Sequence, residues 1–235
     1  MEMAEKESLM LTIIMPCLNE AAAVGISIRE AAAFLEKNKI QGEILVVDNG
    51  SADGSAAIAE SCGARVIIQP QKGYGNALRF GLSHSRGRVV ILGDCDTTYD
   101  FLHLEEMYGL LSSGACDMVI GNRFAGGMEK GSMPLSHKWG VRFLSWLGRK
   151  RLDTDIYDFH CGLRGLTRAG LEKLELKTGG MEFATEMIAA AVKAGLSVGQ
   201  VPVRLRKCAL ARKSKLRTLR DGLRHLVYIG KLPLD

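Results

Sequence analysis

The sequence predicts an α/β fold with a mostly parallel central sheet flanked by helices, on three observations. Short runs of branched apolar residues recur through the N-terminal half without polar alternation, as strands buried on both faces do. Alanine-rich helical segments separate them, the strand–helix alternation of a parallel sheet. Polar residues gather where the runs end: Asn19, Glu20, Asp48, Asp94 and Asp96. Ligands of such sheets bind at the carboxyl ends of the strands.

The elements follow in order. Leu11-Thr12-Ile13-Ile14-Met15 reads as a strand ending in Pro16-Cys17-Leu18-Asn19-Glu20, followed by a helix over about 20–37. Glu43-Ile44-Leu45-Val46-Val47 ends in Asp48-Asn49-Gly50-Ser51, with Asp53 placed to cap a helix over 53–62. Ala64-Arg65-Val66-Ile67-Ile68 is a third strand and 74–86 a third helix. Val89-Val90-Ile91-Leu92 then runs into Gly93-Asp94-Cys95-Asp96. Alternate residues of an extended chain point the same way, so Asp94 and Asp96 address one ligand. Two carboxylates that close suit Mg²⁺ or Mn²⁺ holding a diphosphate. An ordinary solvated strand-end loop would explain any one of these polar residues, but less well all five together.

Those residues, in that order, resemble the family-2 inverting glycosyltransferases of the GT-A fold, a Rossmann-like arrangement. The likeness rests on Pro16-Cys17-Leu18-Asn19-Glu20, Val46 to Ser51 with Asp53-Gly54, Lys72-Gly73-Tyr74-Gly75-Asn76-Ala77 and Asp94-Cys95-Asp96. Ile120-Gly121-Asn122-Arg123-Phe124 and Asp158 to Arg164 complete it. Within the family the chain is most similar to the polyprenyl-phosphate branch. The resemblance implies that Pro16, Asn19 and Glu20 line a nucleoside pocket, that Asp48 binds the base, and that Lys72 and Gly73 lie beside the nucleotide. It puts Asp94 at the ribose or diphosphate and Asp96 at the metal. Arg123 is assigned to the phosphates, and Asp158, Gly162 and Arg164 to the sugar and acceptor side. Some relatives carry a Gln two residues past the second Asp; here that residue is Thr98.

Composition agrees with a globular enzyme. The chain has 235 residues, 47% hydrophobic and 24% charged, enough to bury a core and too apolar for disorder. Ala125 to Leu135, rich in glycine, reads as a mobile loop over the site or a plain connector. The six cysteines form no Cys-x-x-Cys pair, so no zinc site is expected. Cys95 reads as packing, and His160 as a structural or acceptor-side residue. The first residues carry acids and no apolar signal core. A cytoplasmic location, peripheral on the cytoplasmic membrane face, is the expectation.

Charge divides the chain into a catalytic domain, 1–206, and a basic amphipathic segment, 207–235. Arg204 to His225 holds nine Lys or Arg against Asp221, a net of +8, so with a total of +5 the remainder is −3. Past Lys213 and Lys215, both placed on the acceptor side, Leu216, Leu219, Leu223, Leu226 and Val227 recur at helical spacing. Arg217, Arg220 and Arg224 edge that stripe. Such a helix lies on an anionic membrane surface, with leucines inward and arginines toward lipid phosphate, away from the nucleotide pocket. A helix packed on the domain with a solvated basic flank is the alternative. Nucleic acid is not expected, for want of a motif and of stacking aromatics. No apolar run is long enough to span a bilayer.

The expected activity is metal-dependent transfer of a hexose, with inversion, from a nucleotide-diphosphate sugar to polyprenyl phosphate. UDP-glucose and GDP-mannose both fit as donors, and the oligomeric state is not legible. A soluble or saccharide hydroxyl acceptor is the alternative, with Asp158 then the base. A non-catalytic nucleotide-sugar-binding protein is a third reading, against which the two carboxylates argue.

Overall fold

The computed structural model describes residues 9–208 and 218–232. Its centre is a seven-stranded sheet in the order β3-β2-β1-β4-β6-β5-β7. The strands are β1 (Leu11–Cys17), β2 (Gly42–Asp48), β3 (Arg65–Ile68), β4 (Val89–Leu92), β5 (Met118–Asn122), β6 (Arg164–Thr167) and β7 (Val198–Pro202). Pairing is parallel except where β6 runs antiparallel between β4 and β5. The helices are α1 (Val24–Lys37), α2 (Ser55–Ser61), α3 (Tyr74–His84), α4 (Glu105–Ser112), α5 (Arg123–Gly126), α6 (Leu135–Leu152), α7 (Arg168–Glu172), α8 (Phe183–Lys193) and α9 (Thr218–Gly230).

The unalternated runs are buried as expected. Ile13, Ile14, Leu45, Val46, Val90 and Ile91 have no exposed surface, because helices cover both sheet faces. The third run departs from this. As the edge strand β3 it is half-buried, and Ile68 is exposed. The cap of α2 also differs. Gly54, at φ 85°, holds the N-cap position. Asp53 instead accepts from Ser55 N at 3.0 Å and, through its other oxygen, from Ala21 N at 3.0 Å. It thus ties the β1 loop to the β2 loop.

Register gathers the site. Cys17 pairs with Asp48 and Ile14 with Leu92, so β1, β2 and β4 end at one pole. Arg164 pairs with both Leu92 and Ile120. Because β6 is antiparallel, the segment leading into it, Asp158 to Leu163, arrives at that same pole.

The segment Ala125 to Leu135 is anchored. Met128 bridges to Leu205, Glu129 N donates to Leu205 O at 2.9 Å, and the Glu129 carboxylate accepts from Lys207 N at 2.8 Å and pairs with Arg204 at 3.0 Å. The C-terminal helix packs against α6 and α8. His225 and Ile229 are buried while Leu223, Leu226 and Val227 face outward. Leu216, Arg217, Lys213 and Lys215 lie outside the described residues. No helix among the described residues is long and apolar enough to cross a membrane.

Candidate functional site

Backbone strain marks the pole where the strands end. Asn19 sits at φ 51°, a conformation asparagine tolerates. Its Oδ1 accepts from Ala52 N at 2.8 Å and its own N–H donates to Ser51 Oγ at 2.9 Å. Glu20 is buried beside it, its N–H bonded to Ser55 Oγ. Thr97 sits at φ 67°, where a β-branched residue is an outlier. Its buried hydroxyl has no protein partner among the described residues. Nothing in the sequence pattern pointed to it.

Asp48 closes β2. Its Oδ2 accepts from Gly50 N and Ser51 N, both at 3.1 Å. Its Oδ1 is buried with no hydrogen-bond partner among the described residues. A buried carboxylate oxygen without a donor is costly, and a ligand N–H would satisfy it. Replacing Asp48 by Ala should therefore weaken a nucleotide donor by roughly 1.5–3 kcal/mol, the worth of a hydrogen bond to a charged group. Titration calorimetry reads this directly; an unchanged dissociation constant would place the base elsewhere.

Two cavities adjoin. An open cleft of about 560 Å³ is lined by Lys72, Gly73 and Tyr74 with Glu182, Arg220 and Arg224. Gly73 lets the chain pass the Gly179 carbonyl, which a Cβ would strike, and its N–H donates to Asn49 Oδ1 at 2.8 Å. The arginines were expected to face lipid only. Instead α9 brings Arg220 and Arg224 to the same cleft as Lys72, with Arg224 3.7 Å from Glu182. The nucleotide side and the C-terminal helix are therefore not separable.

The second cavity, about 200 Å³, is lined by Asp94, Tyr99, Arg123, His160 and Gly162, and by α6 and α9. It shares Tyr74, Met181 and Asp221 with the first. Gly162 admits Asp94, whose Oδ2 lies 2.6 Å from where a Cβ would stand. Burial, reinforced by Asp94, pushes the Tyr74 hydroxyl well up. Burial also holds His160 well down, helped by His225, Arg123 and Arg164, so the ring is neutral. Its two nitrogens have no protein partner among the described residues, and it stands edge-on to His225 with centroids 4.3 Å apart.

Arg123 and Asp158 form a buried two-pronged ion pair, Nε to Oδ2 and Nη2 to Oδ1 both at 2.7 Å. Desolvation opposes the guanidinium charge, but the neighbouring Tyr99 and Asp158 outweigh it and drive its pKa well up. Asp158 also accepts from Arg123 N and His160 N. With both oxygens held this way, it does not stand as a free base. Arg164 needs a firmer correction. It lines neither cavity, and its guanidinium donates to the carbonyls of Phe159, Cys161 and Ala184. Its work is to fix the Asp158–Leu163 segment against α8.

The carboxylate pair fits a hard cation in chemistry. Thr98 donates its N–H, at 3.0 Å, and its hydroxyl to Asp96 Oδ1. Thus the residue in the Gln position orients the carboxylate. Cys95 between the acids is buried and donates to Pro16 O at 3.3 Å, as packing requires. No cluster of three His, Cys, Asp or Glu suited to a metal occurs among the described residues. An ion here would complete its shell with phosphate and water oxygens, as Mg²⁺ commonly does. Pro16 lies at the end of β1 beside Val47.

A third cleft, of about 520 Å³ and lined by Glu36, Lys39, Glu43 and Arg65, holds none of the predicted residues.

Comparison with known proteins agrees with this geometry. Over 220 residues the chain is 34% identical to a low-salt glycan biosynthesis hexosyltransferase of Haloferax volcanii, covering 93% of this chain but 52% of that protein. The chain thus spans about half the length of that relative. It is 29% identical over 199 residues to a dolichyl-phosphate hexose transferase of the same organism, covering 85% of this chain and 84% of that one. Among solved structures, glucosyl-3-phosphoglycerate synthase from Mycobacterium tuberculosis, in complex with Mn²⁺, UDP-glucose and glycerol 3-phosphate, superposes with a TM-score of 0.71. It is 20% identical over 97% of this chain and 82% of that one, a likeness of fold. The family described as glycosyl transferase family 2 matches residues 12–175. Carrying the mostly parallel GT-A sheet and that match over most of its length, the chain belongs to glycosyl transferase family 2.

Proposed function

We propose that this chain transfers a hexose from a nucleotide-diphosphate sugar to the phosphate of a polyprenyl-phosphate carrier, with inversion, at a membrane surface. The observation that carries this reading is the Arg123–Asp158 pair. A sugar hydroxyl needs a base to take its proton, and Asp158 is held by Arg123 through both oxygens. A phosphate oxygen is already an anion and needs placement rather than deprotonation. Arg123, charged and buried at the wall of the second cavity, supplies that placement. The dolichyl-phosphate hexose transferase relative supports the same acceptor class.

The donor would lie along the first cleft, its base on Asp48 and its diphosphate toward Lys72 and Asp94. Asp96 and Asp94 would hold Mg²⁺ or Mn²⁺, which when bound neutralises charge growing on the leaving nucleoside diphosphate. Tyr74, shared by both cavities, stands where donor and acceptor meet. Arg220 and Arg224 add positive charge on the donor side. A soluble phosphorylated acceptor is the second reading, favoured by the fold shared with glucosyl-3-phosphoglycerate synthase.

The test is a product assay with UDP-glucose and GDP-mannose, each with Mn²⁺ or Mg²⁺. The acceptors offered are a short polyprenyl phosphate and glycerol 3-phosphate. Lipid-linked product is expected; product on glycerol 3-phosphate alone would establish the second reading instead.

A further inference from the structure

Among the described residues ten large apolar side chains are exposed, and seven of them lie on two helices. Leu135, Trp139, Phe143 and Trp146 are on α6, and Leu223, Leu226 and Val227 are on α9. At about 100° per residue the four on α6 fall within roughly 80° of one another. The buried Leu144, Ser145 and Gly148 occupy the opposite side. The helix is therefore inverted relative to an ordinary surface helix, with its bulkiest apolar residues turned away from the core. Trp139 is 72% exposed and Leu135 74%. Phe143 and Trp146 stack with centroids 6.1 Å apart, a continuous ridge. Both tryptophans of the chain are on it.

The same helix carries Lys138, Arg142, Arg149, Lys150 and Arg151 and no acid. Arg142 lies over the Phe124 ring at 4.8 Å and Arg149 over Tyr157 at 4.6 Å, so both stems rest on aromatic rings beside the ridge. An exposed apolar patch of this kind marks an interaction surface. Its charge selects the partner. Dense one-signed cations repel a second copy of the same face and attract anionic lipid, and tryptophan is favoured where hydrocarbon meets head groups.

We propose that the α6 ridge, with the outward face of α9 packed beside it, is a docking surface for an anionic bilayer. The sequence had assigned this role to the C-terminal segment alone. The aromatic ridge inserts and the flanking cations meet lipid phosphate. Both helices also wall the cavity beside Arg123, through His137, Gly140, Asp221 and His225 among others. Docking therefore sets that cavity at the head-group level. The inference goes beyond the acceptor assignment, and its probe contains no polyprenyl phosphate, so the two fail separately.

The experiment uses the full chain with phosphatidylcholine vesicles, with and without phosphatidylglycerol, read by tryptophan emission and co-sedimentation. Because both tryptophans lie on the ridge, emission reports on it alone. Expected are a blue shift and quenching by brominated lipid with anionic vesicles, reversed by high salt. Trp139→Ser with Phe143→Ser should weaken vesicle binding roughly tenfold or more, with donor binding by thermal shift unchanged. Both residues are exposed, so the fold should survive. The proposal is overturned by unshifted emission, whether or not the protein sediments with the vesicles. It is equally overturned by unaltered vesicle binding of the double variant, or by a dimer in solution that this variant abolishes.

Discussion

Asp158→Ala is expected to be the most destabilising single change at the site, lowering the unfolding free energy by about 3–5 kcal/mol. The substitution leaves the Arg123 guanidinium buried, charged and without its carboxylate. Tyr99 and Asp158 together outweigh desolvation at Arg123, so removing Asp158 leaves part of the burial penalty uncompensated. The His160 N–H loses its acceptor too, loosening the turn before Gly162. Asp158→Asn keeps an acceptor oxygen and the shape, and should cost less. Urea denaturation of the two variants decides the role of Asp158. A general base would give an Asn variant with a normal unfolding midpoint and no turnover. A positioning partner gives losses of stability and turnover that rise together from Asn to Ala.

Asp96→Ala should do the reverse, removing activity while sparing the fold. Its Oδ1 accepts from the Thr98 N–H and hydroxyl, and a hydroxyl can turn to another acceptor. Losing the bond from the Thr98 N–H then costs roughly 1.5–3 kcal/mol, the worth of one hydrogen bond to a charged group. Turnover should fall roughly a thousandfold, the upper end of what one charge-stabilising group contributes. Donor titrations with and without Mn²⁺ supply the second readout, since the variant should bind donor equally in both. Near-wild-type turnover with Mg²⁺ present would remove Asp96 from the metal.

The order of strands and polar ends along the N-terminal half was legible because buried parallel strands read as continuous apolar runs, and their ends must carry the polar residues. That pattern is why Asp48 and Asp94 read as strand-end residues, and β2 and β4 do end at one pole; Gly73 and Arg123 were marked only by the family resemblance. What pairs across the sheet was not legible. β6 inserts antiparallel, so Asp158 meets Arg123 across 35 positions and Arg164 turns inward to carbonyls. Charge alone does not say whether an arginine faces ligand or backbone.

The two helices at the cavity show the same limit. α9 was foreseen from its period, yet Leu223 and Leu226 stay outside while His225 and Ile229 seat it on the domain. α6 escaped prediction altogether. Helical periodicity assumes that the apolar face is the buried one, and here small residues, Ser145 and Gly148, sit inward while tryptophans point out. Sequence determined which residues are apolar and at what spacing. Which of them water would still touch was decided by the packing of distant segments, because burial is a property of the assembled core and not of any one stretch of chain.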